Sequence, residues 1–111
     1  MKSTNSMKEV TVEELKKMID GKEDFQLIDV REPSEFATAN LKGELIPLSS
    51  VPQNVDKISK TKKVIVHCRS GKRSANAITF LENNHGFDNL YNLKGGILAW
   101  KDEIDPSMPA S

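Results

Sequence analysis

The residues best suited to chemistry surround the single cysteine, Cys68. It follows residues 64–66 (VIV), a β-branched run typical of a buried strand, and precedes a short turn that contains Gly71. A helix is predicted from Ser74, so backbone N–H groups and the positive end of the helix dipole would point into this turn. The turn also carries three cations: Arg69, Lys72 and Arg73. These features stabilise a thiolate over a thiol and predict an activated cysteine nucleophile beside a small anion-binding turn.

Two simpler interpretations compete with this one. A lone cysteine at a strand end is often only a small core residue, but core packing does not explain the cationic turn. His67 adjoins Cys68 and could act as a general base. Neighbouring side chains on a strand point to opposite faces, however, so we expect His67 to be structural.

Composition narrows the class of protein. The 111 residues contain 16 basic and 16 acidic side chains, and this balance argues against a nucleic-acid binder. No apolar run is long enough for a membrane span, and the polar N-terminus together with the single cysteine favours a cytoplasmic protein. No metal-ligand spacing or large apolar stripe is visible, so we expect neither a metal nor a cofactor, and a monomer. Residues 57–81 nevertheless hold seven basic and no acidic side chains; the lysines at 57, 60, 62 and 63 would form a solvated face or extend the field toward Cys68.

Helical and strand patterns alternate along the chain. Helices are predicted at residues 11–20, where Thr11 and Glu14 form a capping box, and at 33–38, 53–59, 74–84 and around Ile97 and Trp100. Strands are predicted at residues 25–30, 45–46, 63–68 and 90–93. This alternation predicts an α/β domain with a mainly parallel sheet and helices on both faces. Ligands of such sheets bind beyond the carboxyl ends of the strands, where Cys68 lies.

Three separated motifs resemble those of single-domain rhodaneses. They are residues 27–33 (LIDVREP), 67–74 (HCRSGKRS) and 93–100 (LKGGILAW). The resemblance covers residues 8–104 and leaves 1–7 and 105–111 as loose ends. It implies a three-layer sandwich around a five-stranded sheet. Residues 40–47 (NLKGELIP) depart from the family pattern, because its histidine is replaced and one residue is missing after Gly43. The register of the second strand therefore stays open.

The resemblance also implies a mechanism. Cys68 would take the outer sulfur of thiosulfate as a persulfide and pass it to cyanide or a thiol. The donor would be held by the loop after the cysteine: Arg69, Ser70, Gly71, Lys72 and Arg73. Asp29 and Arg31 would support this loop, with Asp29 either a partner of Arg73 or part of an ordinary ion pair.

Three alternatives remain. The chain could be a sulfur-relay carrier charged by a protein persulfide or polysulfide, and it would use the same loop. It could be a non-catalytic binding module, although Cys68 within a complete loop argues against this. Phosphatases of the related type use a Cys-x5-Arg loop, whereas Cys68 and Arg73 are separated by four residues, a loop better suited to one sulfur atom than to a phosphate.

Overall fold

A computed structural model describes residues 7–109. Its five strands are β1 (Glu9–Val10), β2 (Phe25–Asp29), β3 (Glu44–Leu45), β4 (Lys63–His67) and β5 (Leu90–Leu93). They form one sheet in the order β1-β5-β4-β2-β3, and every neighbouring pair is parallel. The α/β prediction is therefore confirmed, and the sheet is entirely rather than mainly parallel.

Helices cover both faces of the sheet, because alternate residues of each buried strand point in opposite directions. The helices are α1 (Val12–Asp20), α2 (Pro33–Thr38), α3 (Lys72–His85) and α4 (Gly96–Glu103). Ile65 of β4 packs in a core with α1 and α4, whereas Val64 and Val66 pack in a second core with α3. The three-layer arrangement expected from the resemblance is therefore present.

Local sequence signals account for the boundaries of the first helix. The Thr11 hydroxyl accepts the Glu14 N–H at 3.1 Å, and the Glu14 carboxylate accepts the Thr11 N–H at 2.7 Å, which confirms the capping box. Leu15 and Met18 then lie buried on one helical face, and the helix ends before Gly21. This helix closes one side of the sheet.

The structure differs from the predicted elements in three places. Residues 53–59 do not form an α-helix; short 3-10 turns occupy Leu48–Gln53 and Val55–Lys57, because the backbone at Asn54 leaves the helical conformation with a φ of −125°. β1 was not predicted, since two residues carry no periodicity. The second predicted strand, residues 45–46, is β3 (Glu44–Leu45), one residue earlier. Its register pairs Glu44 with Ile28 and Leu45 with Asp29 of β2.

The ends of the chain are only partly within view. Loose ends are predicted at residues 1–7 and 105–111. Of these, residues 1–6 and 110–111 lie outside the described residues. Within the described part, Met7 and Met108 pack against the two cores. No helix among residues 7–109 combines the length and apolar character needed to cross a membrane.

Candidate active site

Cys68 lies in the loop that joins β4 to α3. It follows the last residue of β4 and comes four residues before α3, at the carboxyl end of the parallel strands. Its residue surface is only 1% exposed. The sulfur is therefore enclosed by the loop that follows it.

The first turn of α3 forms a cradle around the Cys68 sulfur. The Gly71 N–H donates to Sγ at 3.1 Å and the Ser74 N–H donates at 3.4 Å. Gly71 has a φ of 109°, a left-handed conformation that glycine adopts without strain. The turn predicted between the strand and the helix is thus present, and the groups that donate to the sulfur are backbone N–H groups.

The cradle lowers the pKa of the Cys68 thiol. Burial acts in the opposite direction and raises the pKa, because it disfavours the charged form. Hydrogen bonds from the Ser74 hydroxyl and from the N–H groups of Ser74, Gly71 and Ser70 outweigh burial, so the net direction is downward. This favours the thiolate needed for nucleophilic attack.

Asn92 of β5 supports the cradle, although nothing in the sequence pointed to it. The Ser74 hydroxyl lies 3.4 Å from Sγ and donates to Asn92 Oδ1 at 2.6 Å. The Asn92 amide in turn donates to the Gly71 carbonyl at 3.0 Å. Because a hydroxyl has one hydrogen, Ser74 accepts the S–H of the thiol in this arrangement and must turn from Asn92 to donate to a thiolate.

The first turn of α4 holds the backbone of the same loop from the other side. The Ile97 N–H donates to the Cys68 carbonyl at 3.0 Å, and the Leu98 N–H donates to the Arg69 carbonyl at 3.1 Å. This close approach requires Gly96, since a Cβ there would lie 2.4 Å from the Arg69 oxygen. The glycine pair of the closing motif therefore seats the cysteine loop on α4.

Asp29 and Arg31 form a buried ion pair beneath the site. Both side chains are fully buried, and Arg31 Nη2 donates to Asp29 Oδ2 at 2.7 Å and to the Ala39 carbonyl at 2.7 Å. Arg31 thereby connects the end of β2 to the residue that ends α2. The alternative partnership of Asp29 with Arg73 is wrong, because this internal pair occupies the carboxylate.

His67 packs against the same ion pair. Its Nε2 lies 3.7 Å from Asp29 Oδ2, and the side chain is fully buried. Burial lowers the pKa of His67 more than Asp29 raises it, and this favours the neutral imidazole. These positions agree with the structural role expected from strand alternation.

Arg73 pairs with Glu35 of α2, a residue that sequence reasoning missed. Arg73 Nη1 and Nη2 donate to the two carboxylate oxygens at 2.7 and 2.8 Å. This ion pair, with the Glu32 N–H also donating to the carboxylate, lowers the pKa of Glu35 to about 2. Positions 35 and 73 are far apart in sequence, so no local pattern could have related them.

The other residues singled out from the sequence fall into two groups. Arg69, Ser70 and Lys72 are exposed on the loop above the sulfur. Trp100 packs in the core with α1 and α4, and His85 is exposed, so neither lies at the site. The part of the chain that the structure describes contains no cluster of side chains able to hold a metal ion.

The fold and the cysteine loop together define a class of protein. The rhodanese-like domain family matches residues 11–103. A protein of Allochromatium vinosum named "Sulfurtransferase" is 36% identical over 93 residues, covering 83% of this chain and 86% of that protein. The chain belongs to the rhodanese-like family.

Two solved structures share this architecture. A rhodanese-like domain protein from Staphylococcus aureus is 35% identical, with a TM-score of 0.79, over 88% of this chain and 95% of its own. The protein SSP1007 of Staphylococcus saprophyticus is 33% identical, with a TM-score of 0.78, over 88% and 97%. The family resemblance seen in the three motifs is therefore confirmed.

Proposed function

We propose that this protein is a sulfurtransferase in which Cys68 carries the sulfur as a persulfide. The observation that carries the proposal is the position of Cys68 Sγ, which accepts the Gly71 and Ser74 N–H groups at the start of α3. These donors stabilise negative charge on sulfur, both in the attacking thiolate and in the resulting persulfide. The name of the A. vinosum relative supports the same activity.

The reaction consists of two displacements at sulfur. With thiosulfate, the Cys68 thiolate attacks the outer sulfur, the S–S bond of the donor breaks, and sulfite leaves with the bonding electron pair. The enzyme then holds Cys68–S–S⁻. Cyanide or a thiolate attacks the terminal sulfur and leaves with it, as thiocyanate or a new persulfide, and the Cys68 thiolate is regenerated. The covalent carrier divides one transfer into two easier steps.

The enclosure of the sulfur supports a small donor with a terminal sulfur atom. Cys68 is 1% exposed, so a donor must deliver a narrow group through the loop. Arg69 and Lys72 lie exposed around this entrance and would attract an anion such as thiosulfate. Ser70 and Gly71 would offer backbone N–H groups to the donor, and Asp29 and Arg31 would act only as supports.

Intact-mass spectrometry tests the carrier directly. Exposed to thiosulfate, the protein should gain one sulfur atom, about 32 Da, and lose it when cyanide is added. Cys68→Ser should remain unmodified and form no thiocyanate. Ser70→Ala is a matched control, because it alters a loop side chain and leaves the sulfur and its backbone donors in place. Thiocyanate formation by Cys68→Ser would refute the proposed mechanism.

One observation favours a second candidate, the sulfur-relay carrier. Glu35 balances the charge of Arg73, so the site has less positive charge than its sequence suggests. A dianion such as thiosulfate gains less from such a site than from three unbalanced cations. The same mass measurement with a polysulfide or a protein persulfide as donor separates the candidates: faster charging from these donors than from thiosulfate supports relay.

A further inference from the structure

Glu35 and Arg73 bring opposite charges together next to the reactive loop. Glu35 belongs to α2, whereas Arg73 lies in the first turn of α3, whose N–H groups hold the Cys68 sulfur. Both terminal nitrogens of the guanidinium donate to the carboxylate, in the two-point geometry that gives arginine–carboxylate pairs their strength. The planar fork that would recognise an oxyanion is therefore turned toward an internal carboxylate.

The Glu35 carboxylate is itself held in place. Its Oε1 accepts the Glu32 N–H at 2.9 Å, which fixes it at the start of α2. The far end of that helix is fastened by Arg31, which donates to the Ala39 carbonyl at 2.7 Å. With side chains only 22% and 33% exposed, Glu35 and Arg73 are less screened than a surface pair.

We propose that Glu35 is a positioning residue that sets the charge selectivity of the site. By balancing Arg73, it weakens the attraction of the loop for a doubly charged sulfur donor relative to a singly charged one. This inference rests on the proposed function and adds to it the residue that determines which donors are preferred. The proposal also accounts for the pairing of Arg73, a cation of the reactive loop, with an internal carboxylate.

Two donors of similar shape isolate the effect of charge. Thiosulfate carries two negative charges, and methanethiosulfonate has a methyl group in place of one charged oxygen and carries one. Each delivers its terminal sulfur to the Cys68 thiolate by the same displacement; sulfite leaves in the first case and methanesulfinate in the second. The ratio of the two second-order rate constants therefore reports the charge that the donor meets.

The test measures persulfide formation by intact mass in the full chain and in Glu35→Gln. Removing one negative charge near the donor should accelerate the reaction about threefold for methanethiosulfonate and about tenfold for thiosulfate, since the interaction scales with donor charge. The ratio of the rate constants thus rises about threefold. A merely structural role of Glu35 would slow both donors alike and leave the ratio unchanged.

Two further variants distinguish site charge from net charge. Glu35→Asp keeps the carboxylate and should restore the ratio toward its original value. Glu32→Gln removes the same charge from an exposed neighbouring position and should leave the ratio within about 1.5-fold, because exposed charges are strongly screened. An unchanged ratio in Glu35→Gln, or an equal rise in Glu32→Gln, would overturn the inference.

The outcome also separates this inference from the proposed function. If neither donor forms a persulfide on Cys68, the sulfurtransferase proposal fails and the selectivity inference fails with it. If persulfide forms in every variant and the donor ratio never changes, only the role of Glu35 is refuted.

Discussion

At the residue scale, the chemistry depends on what surrounds one sulfur atom. Burial alone would make Cys68 a less acidic thiol, and the largest contributions that reverse this are hydrogen bonds from the loop, with the nearby charge of Arg73 also interacting with the sulfur. Lys72 and Arg69 are exposed, and Arg73 is balanced by Glu35. The cationic side chains that made the loop conspicuous in the sequence therefore contribute less to activation than the backbone does.

The contribution of Ser74 to the lowered pKa of Cys68 should be measurable through the pH dependence of alkylation. The thiolate is the reactive form, so the rate with uncharged iodoacetamide rises as the pH passes through the pKa of Cys68. Because that pKa is lowered, the midpoint should lie below that of an ordinary cysteine. Ser74→Ala removes one of the groups that lower the pKa and should move the midpoint upward, with slower alkylation at neutral pH.

Ser70→Ala serves as the control for this measurement. Ser70 contributes through its backbone N–H, which alanine retains, so its midpoint should coincide with that of the unaltered protein. A downward shift in Ser74→Ala would mean that the hydroxyl, by donating to Asn92, had favoured the thiol form instead.

At the scale of elements, two helix starts meet on one loop. The first turn of α3 donates to the Cys68 sulfur, and the first turn of α4 donates to the Cys68 and Arg69 carbonyls. The α4 contact depends on Gly96, which has a φ of 61° and leaves no room for a side chain. The glycine pair that resembles a family motif thus has a physical function in this chain.

Gly96→Ala should therefore be far more damaging than a similar change elsewhere. Gly86 has a comparable φ of 68°, but a Cβ there would meet nothing within 4 Å. We expect Gly86→Ala to lower the free energy of unfolding by about 1–2 kcal/mol, the cost of a left-handed conformation, and to retain persulfide formation.

Gly96→Ala adds a steric overlap with the loop to the same conformational cost. We expect a loss of about 3 kcal/mol or more, together with slower persulfide formation in the fraction that folds. Urea unfolding and the mass measurement give the two quantities. Equal losses of stability in the two variants would contradict the contact assigned to Gly96.

At the scale of the whole molecule, the lysines at residues 57–63 and the cysteine loop lie at opposite ends of the strands. We expect the basic run at residues 57–63 to add little to the field at Cys68, because Lys63 begins β4 and Cys68 follows its end. Five strand residues span about 16 Å, twice the Debye length of about 8 Å at physiological salt. The backbone of Lys57 is likewise at the far end, where its carbonyl accepts the Gln26 amide.

Lysines at the two ends of the sheet should consequently differ in effect. Lys57→Gln combined with Lys63→Gln should leave the rate of persulfide formation from thiosulfate within about twofold at physiological salt. Lys72→Gln, with half the charge change, should slow it roughly threefold or more, because that lysine is on the loop. Comparable losses in the two variants would mean that the whole basic surface attracts the donor.

The sequence predicted what depends on local pattern. Cys68, the turn that leads into α3, the capping box at Thr11 and the alternation of strands and helices all arise from neighbouring residues, although α3 begins at Lys72, two residues before the predicted start. The relations between distant segments could not be read in this way. Glu35 meets Arg73, and Asn92 meets Ser74, only because the parallel crossovers bring α2, α3 and β5 to one end of the sheet.

The two-sided hold on residue 68 has a consequence for folding. Its sulfur is held by α3, which packs on one layer of the core, and its carbonyl is held by α4, which packs on the other. A chain in which the layer of α3 is not yet in place would lack the N–H donors to the sulfur, so we expect its thiol to be less activated. The reactivity of this single cysteine should therefore rise as the tertiary structure is completed around it.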